Sequence, residues 1–271
     1  MLEVLKAAVR FRAVHDGKTV FSGIVDEVEV SADSGGFMVC VRGRGMQALL
    51  LDNEAMPADY ARADLDYILR RHVLPFGVCD IDRSGILAKM AKMSVSSGRS
   101  HWSVLAEFLS FSAGLRARFS CEGVLVLDGM SGGDARIITA KTPISSQRFR
   151  QDRYGVLSDV TVQSRFSGRT YVCENEPFKR IGGRCERVLS VPKYTGIDVM
   201  RYTGEYQIEK SLEGFESCAA TVCELFAAFP GDRLTIEDSP IGLTGDFLVL
   251  KTRCWAAGAS AGTVIEFSPR R

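Results

Sequence analysis

FRAVHDGKTVFSGIVDEVEVSADSGGFMVCVRGRGMQALLLDN, residues Phe11–Asn53, reads as three strands and a closing turn. Val9, Phe11 and Ala13 alternate with Arg10, Arg12 and Val14, and Asp16-Gly17 is a tight hairpin signal. Thr19, Phe21, Gly23, Ile24, Val28 and Val30 carry a second, longer strand, kinked where Gly23 has no side chain. Ser34-Gly35-Gly36 turns the chain again. Phe37, Val39 and Val41 then set one apolar face down, with Met38 and Cys40 on the other. Such a meander leaves two edges and one apolar face uncovered. A later segment, or another copy of the chain, has to complete it.

Working outward, 271 residues suggest about two domains. Apolar residues make up 46% and charged residues 25%, enough for a buried core. Lys+Arg 34 against Asp+Glu 33 leaves a net charge of +1, so no global electrostatic pull toward nucleic acid or membrane is expected. The opening MLEVLKAAVRFR has no apolar run between its charges, which argues against a secretory leader. No stretch reaches the roughly 20 apolar residues of a spanning helix. The eight cysteines form no CxxC pair, and Cys218 and Cys223 stand five apart. Reduced thiols serving as small core hydrophobes in a reducing cytoplasm are the expectation.

After Met56-Pro57 the period changes. Leu65, Ile68, Leu69, His72 and Val73 recur at helical spacing behind the capping Asp64, and Pro75 and Gly77 stop the helix. Trp102, Leu105, Phe108 and Leu109 define a second helix after Ser100, ended by Gly114. The runs 115–119 and 124–127 follow as a hairpin around Cys121-Glu122-Gly123. From Arg136 strands dominate: 137–140, 156–166, 170–173 and 184–191, with Ser167-Gly168 and Gly182-Gly183 as hairpin turns between them. Phe215, Cys218, Ala219, Val222, Leu225 and Phe226 make a helical stripe ended by Pro230-Gly231, and strands return at 234–236, 247–255 and 263–267. The expected fold is mainly β with α+β insertions: two β-barrel domains of similar architecture plus small helix-containing modules. The divisions are 1–55 (a first barrel, completed by later segments), 56–135 (an inserted α+β module) and 136–271 (a second barrel with a helical insertion near 211–229).

Short motif matches lack the context their chemistry needs. Gly43-Arg44-Gly45-Met46-Gln47-Ala48 fits G-x-G-x-x-A, but no helix and buried parallel strand follow, so a turn in a β-rich region is expected. Gly129-Met130-Ser131-Gly132-Gly133 fits the nucleophile elbow, yet β-prone residues follow, and His15, His72 and His101 all precede the serine; a hairpin loop is the better account. His72 and His101 lie on two helices of one module, where they can meet as packing or capping residues. Arg148, Arg150 and Arg153, diluted by Asp152 and Asp159, read as a solvated loop. A glycan-cleaving enzyme would need paired carboxylates; Glu205 and Glu209 are present, but nothing sets them apart from surface acids. A monomeric barrel binding oligonucleotide or sugar would expose aromatics, whereas Phe21, Phe37, Phe119, Phe247 and Trp255 sit on apolar alternation and read as buried. No catalytic, cofactor-binding or metal-binding residue is assigned.

Phe21-Ser22-Gly23-Ile24-Val25-Asp26, then Val39-Cys40-Val41-Arg42-Gly43-Arg44-Gly45 running into Leu49-Leu50-Leu51-Asp52, resembles the opening of phage-tail baseplate hub proteins, the late-control family. These in turn resemble the front part of contractile secretion-system spike proteins. The Trp102 helix with the hairpin ending at Val124–Leu127 is similar to the module that follows in that family, and the final helix with the Asp232–Phe267 strands looks like its closing barrel. Hubs often carry an acid where Gly45 stands. The resemblance implies two barrels per chain and a homotrimer forming a pseudo-sixfold ring. It implies as partners a tail tube or tube-initiator protein and a central spike protein, with no cofactor, no membrane insertion and no specific nucleic-acid binding. It also implies a place in the virion baseplate after assembly in the bacterial host cytoplasm.

Overall fold

The computed structural model describes residues 2–269, apart from 84–85, 87–88, 91–92, 128–132, 165–167, 192–195 and 213. The chain is mainly β, with helices set between its strands, and it divides into two compact units, Met1–Gly129 and Met130–Arg271.

In the first unit a short helix, α1 (Leu2–Lys6), leads into β1 (Arg10–His15), β2 (Lys18–Asp33) and β3 (Gly36–Gly45). They form an antiparallel meander in that order. Asp16 and Gly17 both take positive φ, as the two-residue hairpin turn requires. One turn of helix, α2 (Ala48–Leu51), hands the chain to the module of β4 (Ala58–Tyr60), β5 (Ala63–Asp64), α3 (Leu65–His72), β6 (Ile81–Asp82), β7 (Lys89–Met90), β8 (Met93–Val95), α4 (His101–Ala113), β9 (Arg118–Phe119) and β10 (Leu125–Val126). The Asp64 carboxylate caps α3 by accepting from the Tyr67 N–H at 2.8 Å. Ser100 caps α4 through Ser103, and Gly114 ends it in the left-handed region. Ile68, Leu69, Val104, Leu105, Phe108, Leu109, Leu125 and Leu127 meet in the module's core. Each such side chain contributes about 1.5–3 kcal/mol by leaving water. β10 pairs antiparallel with β9, the expected hairpin, and parallel with β6.

The second unit is built on a six-stranded, curled half-barrel sheet. It holds β11 (Ala135–Ile138), β12 (Ile144–Gln151), β16 (Glu216–Val222), β17 (Arg233–Ile236), β18 (Gly245–Ala257) and β19 (Ser260–Pro269) in the order β11-β17-β18-β19-β16-β12. Among the described residues the sheet does not close: β11 and β12 are its edges. Its inner face carries Ile138, Cys218, Ala220, Val222, Leu234, Ile236, Phe247, Val249, Ile265 and Phe267. A smaller sheet, in the order β14 (Thr170–Glu174), β13 (Asp159–Ser164), β15 (Glu186–Val191), packs its apolar residues against α6 (Ile197–Leu212).

Several expectations are corrected here. The helix placed near 211–229 is instead α6, ending at Leu212, and Glu216–Val222 is a strand. The period was two: Cys218, Ala220 and Val222 are buried while their neighbours are not. α6 was hidden because its packed face includes Thr203 and Gly204, where an added Cβ would lie 2.4 Å from Cys173 Sγ. Gly182-Gly183 is not a hairpin turn. The short helix α5 (Glu176–Arg180), capped by Asn175, carries the chain across so that β15 pairs parallel to β13. Residues 148–151 belong to β12 rather than a loop, because β16 supplies their ladder. Most cysteines are not core residues: Cys173 and Cys218 are buried, and Cys79, Cys223 and Cys254 are exposed. Burial pushes the Cys218 thiol up to about 11. The 129–133 motif lies largely outside the described residues; the strand expected after it is β11.

One buried acid ties the half-barrel's first edge to its turn. Asp232 accepts from the Asp134 N–H at 3.0 Å, from Arg136 Nε at 3.0 Å and from the Phe229 N–H at 2.9 Å. Asp232→Ala is expected to cost about 3 kcal/mol, because it strands a partly buried guanidinium and two amides. Urea unfolding of the variant beside wild type checks this.

Candidate assembly surface

β2 is far longer than the strand beside it. Its pairing with β1 ends at Ile24, opposite Arg10, while its pairing with β3 runs on to Asp33. From Val25 to Gly43 the chain is therefore a ribbon two strands wide. Along one face of it the cross-strand pairs are Val28–Val41, Val30–Val39 and Ala32–Phe37. Among the described residues the outer part of that stripe is uncovered: Phe37 is 86% exposed, and Val30, Val39 and Val41 are exposed with it, while Val28 is half-buried. A bare apolar stripe on a two-stranded ribbon marks a contact surface. Phe37 and Trp255, read from sequence as buried, are both exposed. Alternation reports that a face is apolar, not what lies over it.

The second unit repeats this geometry. β17 accompanies β18 only over Gly245–Leu248, and β16 accompanies β19 only over Thr263–Phe267. The remainder, around the turn near Gly258, is again a ribbon with exposed residues at its end. Trp255 faces Gly262 across the strands, and an added Cβ there would lie 2.2 Å from the indole. The glycine makes room for the ring. The half-barrel's outer edge, β12, exposes Phe149, Arg148 and Arg150, with Arg150 paired to Asp152.

A fork of charge holds the base of the first ribbon. Arg44 donates from Nε and Nη2 to both Asp26 oxygens (2.8 and 2.9 Å) and from Nη1 and Nη2 to both Asp52 oxygens (2.9 and 2.7 Å). Asp26 is the extra residue of a bulge between Val25 and Glu27, and Asp52 caps α2. One guanidinium thus joins both strands to the helical turn beyond them. Both carboxyls are held below their ordinary range, first by these bonds from Arg44. Farther out, Arg42 pairs with Glu27 across the strands. The glycines of the G-x-G match are structural: a Cβ at Gly43 would lie 2.0 Å from the Ile24 carbonyl oxygen, whereas at Gly45 it would meet nothing.

His72 and His101 do meet, Nδ1 to Nδ1 at 2.9 Å, with Tyr60 Oη 2.9 Å from His72 Nε2. His15 stands apart on β1, beside Asp16. Glu205 and Glu209 are both exposed on α6. Among the described residues no group of three His, Cys, Asp or Glu side chains is arranged for a metal ion.

No protein-family model matches the sequence, and no curated protein matches it. Solved structures do match in fold. A tail protein from Neisseria meningitidis superposes with a TM-score of 0.77 at 16% identity, over 94% of this chain and 82% of that one. The 43 kDa tail protein of prophage MuSo2 from Shewanella oneidensis gives 0.75 at 17%, over 95% and 82%. The chain has the fold of a phage tail protein. An Escherichia coli type VI secretion component, described as similar to the T4 tail proteins gp27 and gp5, shares this tail-protein fold at a TM-score of 0.60 and 11% identity, over 97% of this chain and 63% of its own. The likeness agrees with the resemblance carried by Phe21–Asp26, Val39–Gly45 and Leu49–Asp52.

Gly43→Ala is expected to cost about 1–3 kcal/mol through overpacking against Ile24 and Phe11, and Gly45→Ala to leave the melting temperature nearly unchanged. Parallel thermal melts of the two variants check the contrast.

Proposed function

We propose that this protein is a structural hub subunit of a phage tail or phage-like injection machine, in which three copies close a pseudo-sixfold ring between the tail tube and the central spike. The two bare ribbons carry this reading. Each is anchored in a different half of the chain, and each leaves strand edges and apolar side chains for a neighbour to cover. Contacts that differ on their two sides are heterologous, and heterologous contacts close into rings when the rotation permits. In this reading segments 1–55 and 136–271 supply the barrels of the ring. The ring resides in the virion baseplate after assembly in the host cytoplasm. Its role is to join and align tube and spike. The chain carries no catalytic step, and its binding energy comes from buried strand pairing and apolar contact over large obligate interfaces.

Purified protein is expected to scatter light as three copies at micromolar concentration. Phe37→Asp combined with Val39→Asp is expected to give a monomer with unchanged near-UV circular dichroism, since both side chains are exposed in the single chain. A wild-type monomer that no tube or spike protein brings into a ring would overturn the proposal, as would undiminished assembly of the double variant.

A further inference from the structure

The contacts around His72 and His101, together with the Glu54 backbone, favour one set of hydrogen positions. His101 spends its Nδ1 on His72, and the Glu54 backbone acts on its ring so as to favour the protonated form, as an accepting carbonyl does. The partner there is a carbonyl, so the remaining ring nitrogen, Nε2, carries the proton and Nδ1 accepts. His72 must then donate from Nδ1, which leaves its Nε2 to accept from the Tyr60 hydroxyl. The chain of donors runs Tyr60, His72, His101, Glu54, and both imidazoles are neutral in it. It crosses four pieces of the first unit: β4, the last turn of α3, the first turn of α4 and the 53–55 segment. That segment is also held by its backbone, with Ala55 N–H donating to Arg99 and His101 N–H donating to Asn53.

A second proton on this pair has to enter at His101 Nδ1 or at His72 Nε2, and either disturbs the set. With both Nδ1 atoms protonated, two N–H groups would face each other across 2.9 Å. With His72 Nε2 protonated, the Tyr60 hydroxyl would have to rotate away. His72 is 1% exposed. The groups around the pair are Tyr60 on β4, Tyr67 and Arg71 on α3, Phe76 in the turn after it and the Glu54 carbonyl. The charge acting on both rings is Arg71, of the same sign as the incoming proton, and among the described residues no carboxylate pairs with either ring. His101 also sits at the N-terminal turn of α4, where the helix dipole opposes a cation.

We infer that the Tyr60–His72–His101–Glu54 chain is an acid-sensitive latch, which holds the 53–55 connection against α3 and α4 when neutral and releases it when an imidazole is protonated. The inference stands apart from the ring. Burial, with help from His101 and Arg71, lowers the folded His72 pKa from 6.5 to about 4. The sign follows. The unfolded or unlatched chain binds more protons between those values, so the latched state is fully favoured above pH 6.5 and loses ground as pH falls toward 4.

The test uses the full chain carrying Trp255→Phe, which leaves Trp102, next to His101, as its only tryptophan. The expected result is a reversible change in Trp102 emission between pH 6.5 and 4, with faster amide exchange at 53–55 and unchanged exchange at 125–127. Tyr60→Phe removes the donor that keeps His72 Nε2 unprotonated, so it should move the midpoint to higher pH. His72→Gln should abolish the step. Should His72→Gln fail to fold, the Tyr60→Phe shift alone decides. A flat signal across this range overturns the inference. So does a midpoint unmoved by Tyr60→Phe, a step that survives in a folded His72→Gln, or loss of 125–127 protection in the same step.

Discussion

A strand that outruns its neighbours has backbone donors and acceptors on its open side that only water or another chain can satisfy. Both units of this protein are arranged around that constraint. β2 loses β1 at Ile24 and runs on to Asp33. β18 and β19 lose β17 and β16 and continue as a pair to their turn. A two-stranded ribbon gains little from burying itself, and water is a poor cover for Phe37, Val39 and Val41. Sheets drawn out in this way become favourable structures when neighbouring molecules supply the missing layer.

The local chemistry keeps the first ribbon extended while it is bare. Arg44 grips Asp26 and Asp52 through four hydrogen bonds, and Gly23 and Gly43 bring the strands close where the bulge increases their twist. Exposed ion pairs of this kind add little stability singly. Their use here is geometric, since a bidentate guanidinium fixes direction as well as distance. The carboxylates on β2 and the arginines on β3 also tie the two strands together along the polar face.

Much of this was legible in the sequence wherever one residue type settles one local choice. Asp16-Gly17, the caps at Asp64 and Ser100, and the stop at Gly114 were all readable. Failures came where a partner element decides the outcome. The 216–222 stretch satisfies both a helical and an alternating pattern, and β19 beside it selects the strand. α6 buries Thr203 and Gly204, so no apolar stripe announced it. Gly182-Gly183 promised a hairpin that α5 forestalls. The Arg44 fork joins Asp26 and Asp52, which stand 18 and 8 residues away, and no sequence pattern announced that meeting. The His72–His101 contact was foreseen as a meeting of two helices; its direction, running from Tyr60 to Glu54, was not.

In the proposed ring neighbouring molecules complete these ribbons, and amide exchange along the strands reads that completion out. The amides on the open sides of residues 27–42 and 255–262 should exchange freely in dilute single chains and become protected on assembly, with the half-barrel core at 218–222 and 263–267 protected throughout. Ribbons already slow to exchange in the dilute chain, or still fast in the assembled particle, would contradict it.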